Sequence, residues 1–235
     1  MTGLGQDIRY ALRALRKNPA FSVVAILTLA LGIGANTAMF TVLNTVIFQA
    51  MPYPSPEQLV MLWTEVPTQG LRQGRSSYPD VDEWRLQSQS FDDIAVFDPV
   101  SGRLTTPAGA ERISIMRTSP NLFTLLGVQP ERGRVFTAQE ADERRRVVVV
   151  SHQFWQTHMG GREDAIGSTI ELDGLPSEVI GIFPAAERSA LSDSDVWEPH
   201  TMFPDWERRK SQRGDSSWFV LGRMRSDLTI PQVQT

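Results

Sequence analysis

The chain has 235 residues, a formal net charge of −4, 41% hydrophobic and 21% charged residues, and a mean hydropathy of −0.21. These averages exclude a disordered, collagenous or wholly membrane-embedded chain and allow one large or two small globular domains. With no cysteine, disulfides, thiolate catalysis, iron–sulfur clusters and cysteine zinc sites are excluded, and the three histidines, His152, His158 and His200, leave little for a histidine metal cage.

The averages hide an asymmetry. No charged residue occurs between Lys17 and Glu57, a gap of 39 positions. Ahead of it, Leu4, Ile8, Leu12 and Leu15 recur at helical spacing, so residues 1–18 are expected to form an amphipathic helix on the inner leaflet. Within the gap, residues 21–31 read FSVVAILTLAL and the apolar character persists to Phe48. A bilayer core of about 30 Å needs roughly 20 such residues as a helix. Residues 19–52 are therefore expected to be a transmembrane helix with an outer extension, ended by Pro52, Pro54 and Pro56. A buried soluble helix would be shorter, and a cleavable signal would have a shorter apolar region and a small-x-small site.

Arg9, Arg13, Arg16 and Lys17 flank the span against a lone Asp7 and place the N-terminus in the cytoplasm. Once these five are set aside, the rest of the chain carries 19 basic and 26 acidic residues, an acidic outer body. Ala30, Gly34 and Ala38 form a small-xxx-small ladder, and Thr37, Thr41 and Asn44 a polar stripe. Both suit packing against a neighbouring helix better than contact with lipid.

From residue 53 to 235 the pattern predicts one α+β domain. Leu59 to Trp63 reads as a strand. Ser77 caps a helix with Pro79, Asp80 and Asp82 in its first turn, an apolar side of Val81, Trp84 and Leu86, and an end near Ser88. Phe91 to Phe97 and Glu111 to Thr118 read as strands, and residues 119–126 open a short helix stopped by Gly127. Thr137 to Glu140 matches a capping box; Val147 to Val150 is the candidate central strand. Ser151 caps a helix carrying Phe154 and Trp155 that ends at Gly160-Gly161. Thr169 to Leu172, Asp173-Gly174 and Glu178 to Phe183 form a hairpin, and Trp218 to Met224 a last strand. Residues 185–216, rich in Ser, Asp, Arg and Pro, are expected to be an exposed loop region.

No catalytic constellation can be assembled: nucleotide-loop, serine-hydrolase and zinc-helix motifs are absent. The acids Asp80, Asp82, Glu83, Asp92 and Asp93 lack calcium-loop spacing. Arg144 to Arg146 and Arg208 to Lys210 read as solvated basic faces, not nucleic-acid grips.

Residues 29–40 (LALGIGANTAMF) and the Met51-Pro52-Tyr53-Pro54 exit closely resemble the first span of MacB/FtsX-like ABC transporter permeases, above all the acidobacterial duplicated orphan permease (ADOP) branch. The likeness continues through Ser90 to Asp93, Asn121 to Phe123, Leu126 to Pro130, Gly133 to Phe136, Ser151 to Trp155, Ile166-Gly167 and Val179 to Pro184. It departs at Ser226-Asp227, where relatives often carry Pro-Gly. The resemblance implies a MacB-like periplasmic core domain following the first span of a non-catalytic inner-membrane permease. It implies no cofactor in this chain, since ATP would bind a partner ATPase in the cytoplasm that drives movement of the outer domain for export or release of a substrate. Implied partners are the membrane, further permease helices or a second permease copy, and a periplasmic partner, but no nucleic acid. Further spans complete such permeases, so the chain is expected to be a fragment. The alternative is a singly anchored extracytoplasmic binding or chaperone-like module without an ATPase.

Overall fold

The computed structural model describes Thr28, Ala30 and residues 53–66, 71–184 and 194–233. The chain divides into two compact units, residues 1–50 and 51–235. Of the first, Thr28 and Ala30 are helical and exposed; the rest of the expected amphipathic helix and span lies outside the described residues. Among the described residues no helix is long and apolar enough to cross a membrane.

The second unit begins with strands β1 (Leu59–Leu62), β2 (Thr64–Val66) and β3 (Leu71–Gly74), then helix α1 (Tyr78–Gln87). Strands β4 (Phe91–Thr106) and β5 (Gly109–Thr118) form one long hairpin, followed by α2 (Asn121–Leu126), β6 (Arg132–Gly133), α3 (Ala138–Asp142) and β7 (Val147–Val150). Next come α4 (His152–Met159), the hairpin of β8 (Thr169–Leu172) and β9 (Leu175–Ile182), β10 (Val196–Pro199), α5 (Trp206–Arg209), β11 (Phe219–Met224) and α6 (Ile230–Val233).

Local chemistry sets the helix ends. The Ser77 and Ser151 side chains accept from the backbone N–H of Asp80 and Phe154, and Thr137 and Glu140 complete a reciprocal capping box. Gly127 and Gly160 stop α2 and α4 at φ 69° and 66°, conformations that cost any residue with a Cβ. Asp173-Gly174, both with positive φ, makes the tight β8–β9 turn.

The sheet order is β1-β11-β4-β5-β10-β7-β9-β6, and β8 bridges β9 to the far end of β4. The pairings β4–β5–β10–β7–β9–β8–β4 therefore close on themselves into a six-stranded ring. All six strands send side chains into one cluster: Leu104, Ile113 and Ile115, Val148 and Val150, Leu172, Val179 and Ile182, and Val196. Phe154 and Trp155 of α4 join it. The opposite faces of the same strands (Met116, Val147, Val149, Ile180, Trp197) pack on Phe123, Phe136 and Phe183. A strand buried on both faces explains the four-valine run of β7, each valine contributing about 1.5–3 kcal/mol by burial. Where β6 meets β9, Gly133 and Gly181 are register partners. A Cβ on Gly133 would stand 2.2 Å from the Ile180 carbonyl oxygen, and one on Gly181 2.3 Å from that of Arg134, so the two strands approach this closely only through glycine.

Three sequence expectations are corrected. The expected loop over 185–216 contains, within its described part, the wholly buried β10, a buried turn at His200–Met202, and α5. The strand expected at Phe91–Phe97 runs on to Thr106. Leu86, placed on the apolar side of α1, is 88% exposed. The arginine runs are solvated as expected, Arg144, Arg145, Arg208 and Lys210 being exposed, and they carry local contacts: Arg144 donates to the Phe203 carbonyl, Arg145 pairs with Glu140 and Glu178, and Arg209 stacks on the Phe203 ring while pairing with Asp205 and Asp215.

Candidate coupling site at the first and last strands

β1 and β11 are antiparallel neighbours, with Leu59 opposite Arg223 and Leu62 opposite Val220. The chain thus enters the folded unit and leaves its sheet side by side. Arg223 fastens this stem. Its Nε and Nη2 donate to the Leu125 carbonyl at 2.9 and 2.6 Å, Nη2 also reaches the Pro54 carbonyl at 3.1 Å, and Nη1 reaches Gln58 Oε1 at 3.3 Å. One guanidinium therefore ties the incoming segment, the outgoing strand and an exposed-end carbonyl of α2 together.

Packing reinforces the tie. Tyr53 is buried with Ala95, Leu122, Leu125, Leu126 and Leu221. Pro54 lies over Gly127, where an added Cβ would be 2.8 Å from Pro54 Cγ. Asn121 Nδ2 donates to Asp93 Oδ1 at 2.7 Å and to the Ile94 carbonyl at 2.9 Å, seating α2 on β4. Four of the segments that carry the family resemblance (Tyr53-Pro54, Asp93, Asn121 to Phe123, Leu126-Gly127) thus meet at one place. Sequence reasoning missed Arg223; the signal was a lone charge inside the apolar run FVLGRM.

Behind the stem, β4 and β11 pack on α1 through an aromatic cluster. His200 stacks on Tyr78 at 5.3 Å, its Nε2 is 3.1 Å from the Tyr78 hydroxyl, and Trp206 and Trp218 stand edge-on to it. Burial, with the Arg85 charge adding to it, lowers the His200 pKa to about 3, so the ring is neutral. Burial likewise raises the Glu198 carboxyl, opposed by Arg117, whose Nε lies 2.6 Å from Glu198 Oε1. Arg75 opposes the same effect at Asp98, 2.9 Å away. At α3, two parallel 2.7 Å bonds from Arg134 hold the Glu140 pKa down to about 2.

Of the residues singled out in the sequence, Ala30 is helical and exposed; Gly34, Thr37, Ala38, Thr41, Asn44, Arg9, Arg13, Arg16 and Lys17 lie outside the described residues. Ser151 acts as a cap, while His152 Nδ1 turns to Glu131 Oε2 at 3.0 Å. Among the described residues no three potential metal ligands come together.

Fold and stem define an α+β domain whose first and last strands are neighbours. The chain belongs to the family described as MacB-like periplasmic core domain, whose profile matches residues 22–235. Similar solved structures include the periplasmic region of MacB from Actinobacillus actinomycetemcomitans, with 12% identity and a TM-score of 0.57 over 75% of this chain and 78% of that one. The extracellular domain of the noncanonic ABC-type transporter YknZ from Gram-positive bacteria is 14% identical, with a TM-score of 0.53 over 75% and 85%. A domain of a putative permease from Porphyromonas gingivalis is 14% identical, with a TM-score of 0.61 over 77% and 81%. No curated protein matches.

Proposed function

We propose that the chain is the N-terminal part of a non-catalytic inner-membrane permease of the ADOP branch, in which a cytoplasmic ATPase drives movement of the outer domain to export or release a substrate. The observation that carries this reading is the pairing of β1 with β11 under Arg223. Two polypeptide connections that enter a domain as one hydrogen-bonded stem move it as a rigid body; two separated connections would strain it. In this reading residues 1–18 lie on the inner leaflet, residues 19–52 span the membrane, and residues 53–235 are periplasmic. The face of Ala30, Gly34, Thr37, Ala38, Thr41 and Asn44 packs on further permease helices or a second copy, and the acidic composition of the outer body suits a soluble, partner-binding role.

The chain has no cysteine, so single introduced thiols report topology without background. In spheroplasts, Ser226→Cys should react with a membrane-impermeant maleimide and Thr2→Cys only after lysis. A cytoplasmic ABC ATPase should co-purify when the chain is expressed with its neighbouring genes. Reaction of both thiols from outside, or of neither, would overturn the topology; a chain that never recovers an ATPase would overturn the coupling.

A further inference from the structure

Among the described residues, three that are not glycine have positive φ: Ser55, Arg144 and Asp173. Two of them sit where a left-handed residue is ordinary. Arg144 follows α3, with the next N–H closing back on the Glu140 carbonyl at 2.8 Å, and Asp173 opens the β8–β9 turn ahead of Gly174. Ser55 is different. It stands one position before the helical turn Pro56–Gln58, the place that Ser77, Thr137 and Ser151 hold at α1, α3 and α4. Those three are extended, at ψ 154°, 165° and 155°, as a residue in that position normally is. Ser55 is instead at φ 47° and ψ 61°, and its side chain does not cap the turn. The left-handed region brings its Cβ against the backbone, and the proline that follows pushes it toward extended backbone as well.

The contacts on either side enforce this conformation. Ahead of Ser55, Tyr53 is buried with Leu122, Leu125 and Leu126, Pro54 lies over Gly127, and the Pro54 carbonyl accepts from Arg223 at 3.1 Å. Behind it, the Gln58 N–H donates to the Ser55 carbonyl at 3.0 Å, and Gln58 Oε1 accepts from the same guanidinium at 3.3 Å. Arg223 therefore grips the chain on both sides of the strained residue, while Ser55 itself is exposed. Strain of this kind persists only where the surroundings over-determine it.

From the strained residue and the grip around it we infer that residues 53–58 are a clasp with two positions. In the closed position Arg223 and the Tyr53 cluster hold Ser55 left-handed. In the open position Ser55 relaxes to extended backbone, the hydrogen bond from Gln58 to Ser55 breaks, and Tyr53 and Pro54 leave α2 and Arg223. β1 stays paired with β11 throughout, so the incoming segment yields before the stem does. The clasp belongs to the folded body alone and is tested without an ATPase.

The full chain in detergent is compared as wild type, Ser55→Gly, Ser55→Val and Arg223→Met, with amide hydrogen exchange read at Gln58. In the cysteine-free background, maleimide reaction of Ala95→Cys, in the Tyr53 cluster, gives a second readout, and Ala165→Cys, in the cluster around Phe154, serves as control. Glycine takes positive φ freely, so Ser55→Gly should slow exchange at Gln58 and reaction of Ala95→Cys about fivefold. A β-branched residue resists that region, so Ser55→Val should speed both about tenfold or more and leave Ala165→Cys unchanged. In the Arg223→Met background Ser55→Gly should change neither, because Ser55 has already relaxed. If Ser55→Val speeds both cysteines, the variant is disturbed as a whole and Ser55→Gly, with and without Arg223→Met, decides alone. No effect of Ser55→Gly on the wild-type background, or the same effect in both backgrounds, would overturn the proposal.

Discussion

The Arg223 guanidinium donates to the Pro54 carbonyl at 3.1 Å, across 169 positions of sequence, and to no carboxylate among the described residues. A cation satisfied by carbonyls and a side-chain amide is a geometric fastener, indifferent to the protonation of any partner. Arg223→Met keeps the apolar stem of the side chain and removes every bond. It should cost about 1–3 kcal/mol and speed amide hydrogen exchange at residues 55–62 ahead of global unfolding. Uniform acceleration across the whole domain would show that the contact does not hold the incoming segment.

Gly127 and Gly160 permit a controlled comparison. Both end helices in the left-handed region, but a Cβ on Gly127 meets Pro54 whereas one on Gly160 meets nothing within 4 Å. Gly160→Ala should cost only the backbone penalty of about 1 kcal/mol. Gly127→Ala should cost measurably more by urea unfolding, and the excess should vanish in a Pro54→Ala background. Equal costs would remove Pro54 from the account of the stem.

His200 sets a pH dependence of defined sign. Its pKa is lowered to about 3 in the folded protein from about 6.5 in the unfolded chain, so the unfolded state takes up the proton first. Stability from this residue is complete above pH 6.5 and falls as pH drops toward 3, by up to about 1.4 kcal/mol per pH unit. His200→Phe should flatten the unfolding free energy between pH 6.5 and 4 relative to wild type. Parallel profiles would mean that the ring is solvated.

Glu140 acts lower on the scale and with the usual carboxylate sign. Held at about 2 by Arg134 against an unfolded value near 4.5, it stabilises the fold above pH 4.5 and loses that contribution as pH falls toward 2. Glu140→Gln should destabilise by about 1–3 kcal/mol at neutral pH and much less at pH 2.5, where the carboxyl is protonated in the unfolded chain and most of the linked stabilisation is lost. A loss of the same size at both pH values would assign its role to shape alone.

Arg117 and Glu198 are buried together, at 11% and 3% side-chain exposure. Arg117→Met alone should cost about 3–5 kcal/mol because it strands a carboxylate, whereas Arg117→Met with Glu198→Leu should recover most of that loss. Additive losses in thermal unfolding would show that the two charges do not need each other.

What could be read from the sequence follows from the range of the forces involved. Caps at Ser77, Thr137 and Ser151 and stops at Gly127 and Gly160 are decided within one helical turn, and each lies where the residues indicate. β10 was hidden because its burial comes from β5 and β7 on either side, and because Glu198 is admitted only by Arg117. The continuation of β4 was hidden by Pro99 and Gly102, which read as turn residues. Pro99 is tolerated because its missing N–H faces the gap between the end of β11, at Phe219 opposite Phe97, and the start of β8, at Leu172 opposite Leu104. Gly102 leaves room for the Ile115 side chain, whose Cδ1 would lie 2.2 Å from a Cβ there. The stem was half visible: its motifs were recognised one by one, but Arg223, which joins them, could be found only when strands distant in sequence were seen to be neighbours.

The adjacency of β1 and β11 also bears on modularity. Neighbouring antiparallel strands run about 4.8 Å apart, so the points where this body joins the rest of a polypeptide are separated by little more than the width of a tight turn. A short hairpin loop could replace everything between Leu62 and Val220 and leave the flanking segments in register, and the excised body could be grafted between two adjacent strands of an unrelated scaffold. The domain is in this sense a cassette whose attachment points are set by its own hydrogen bonds.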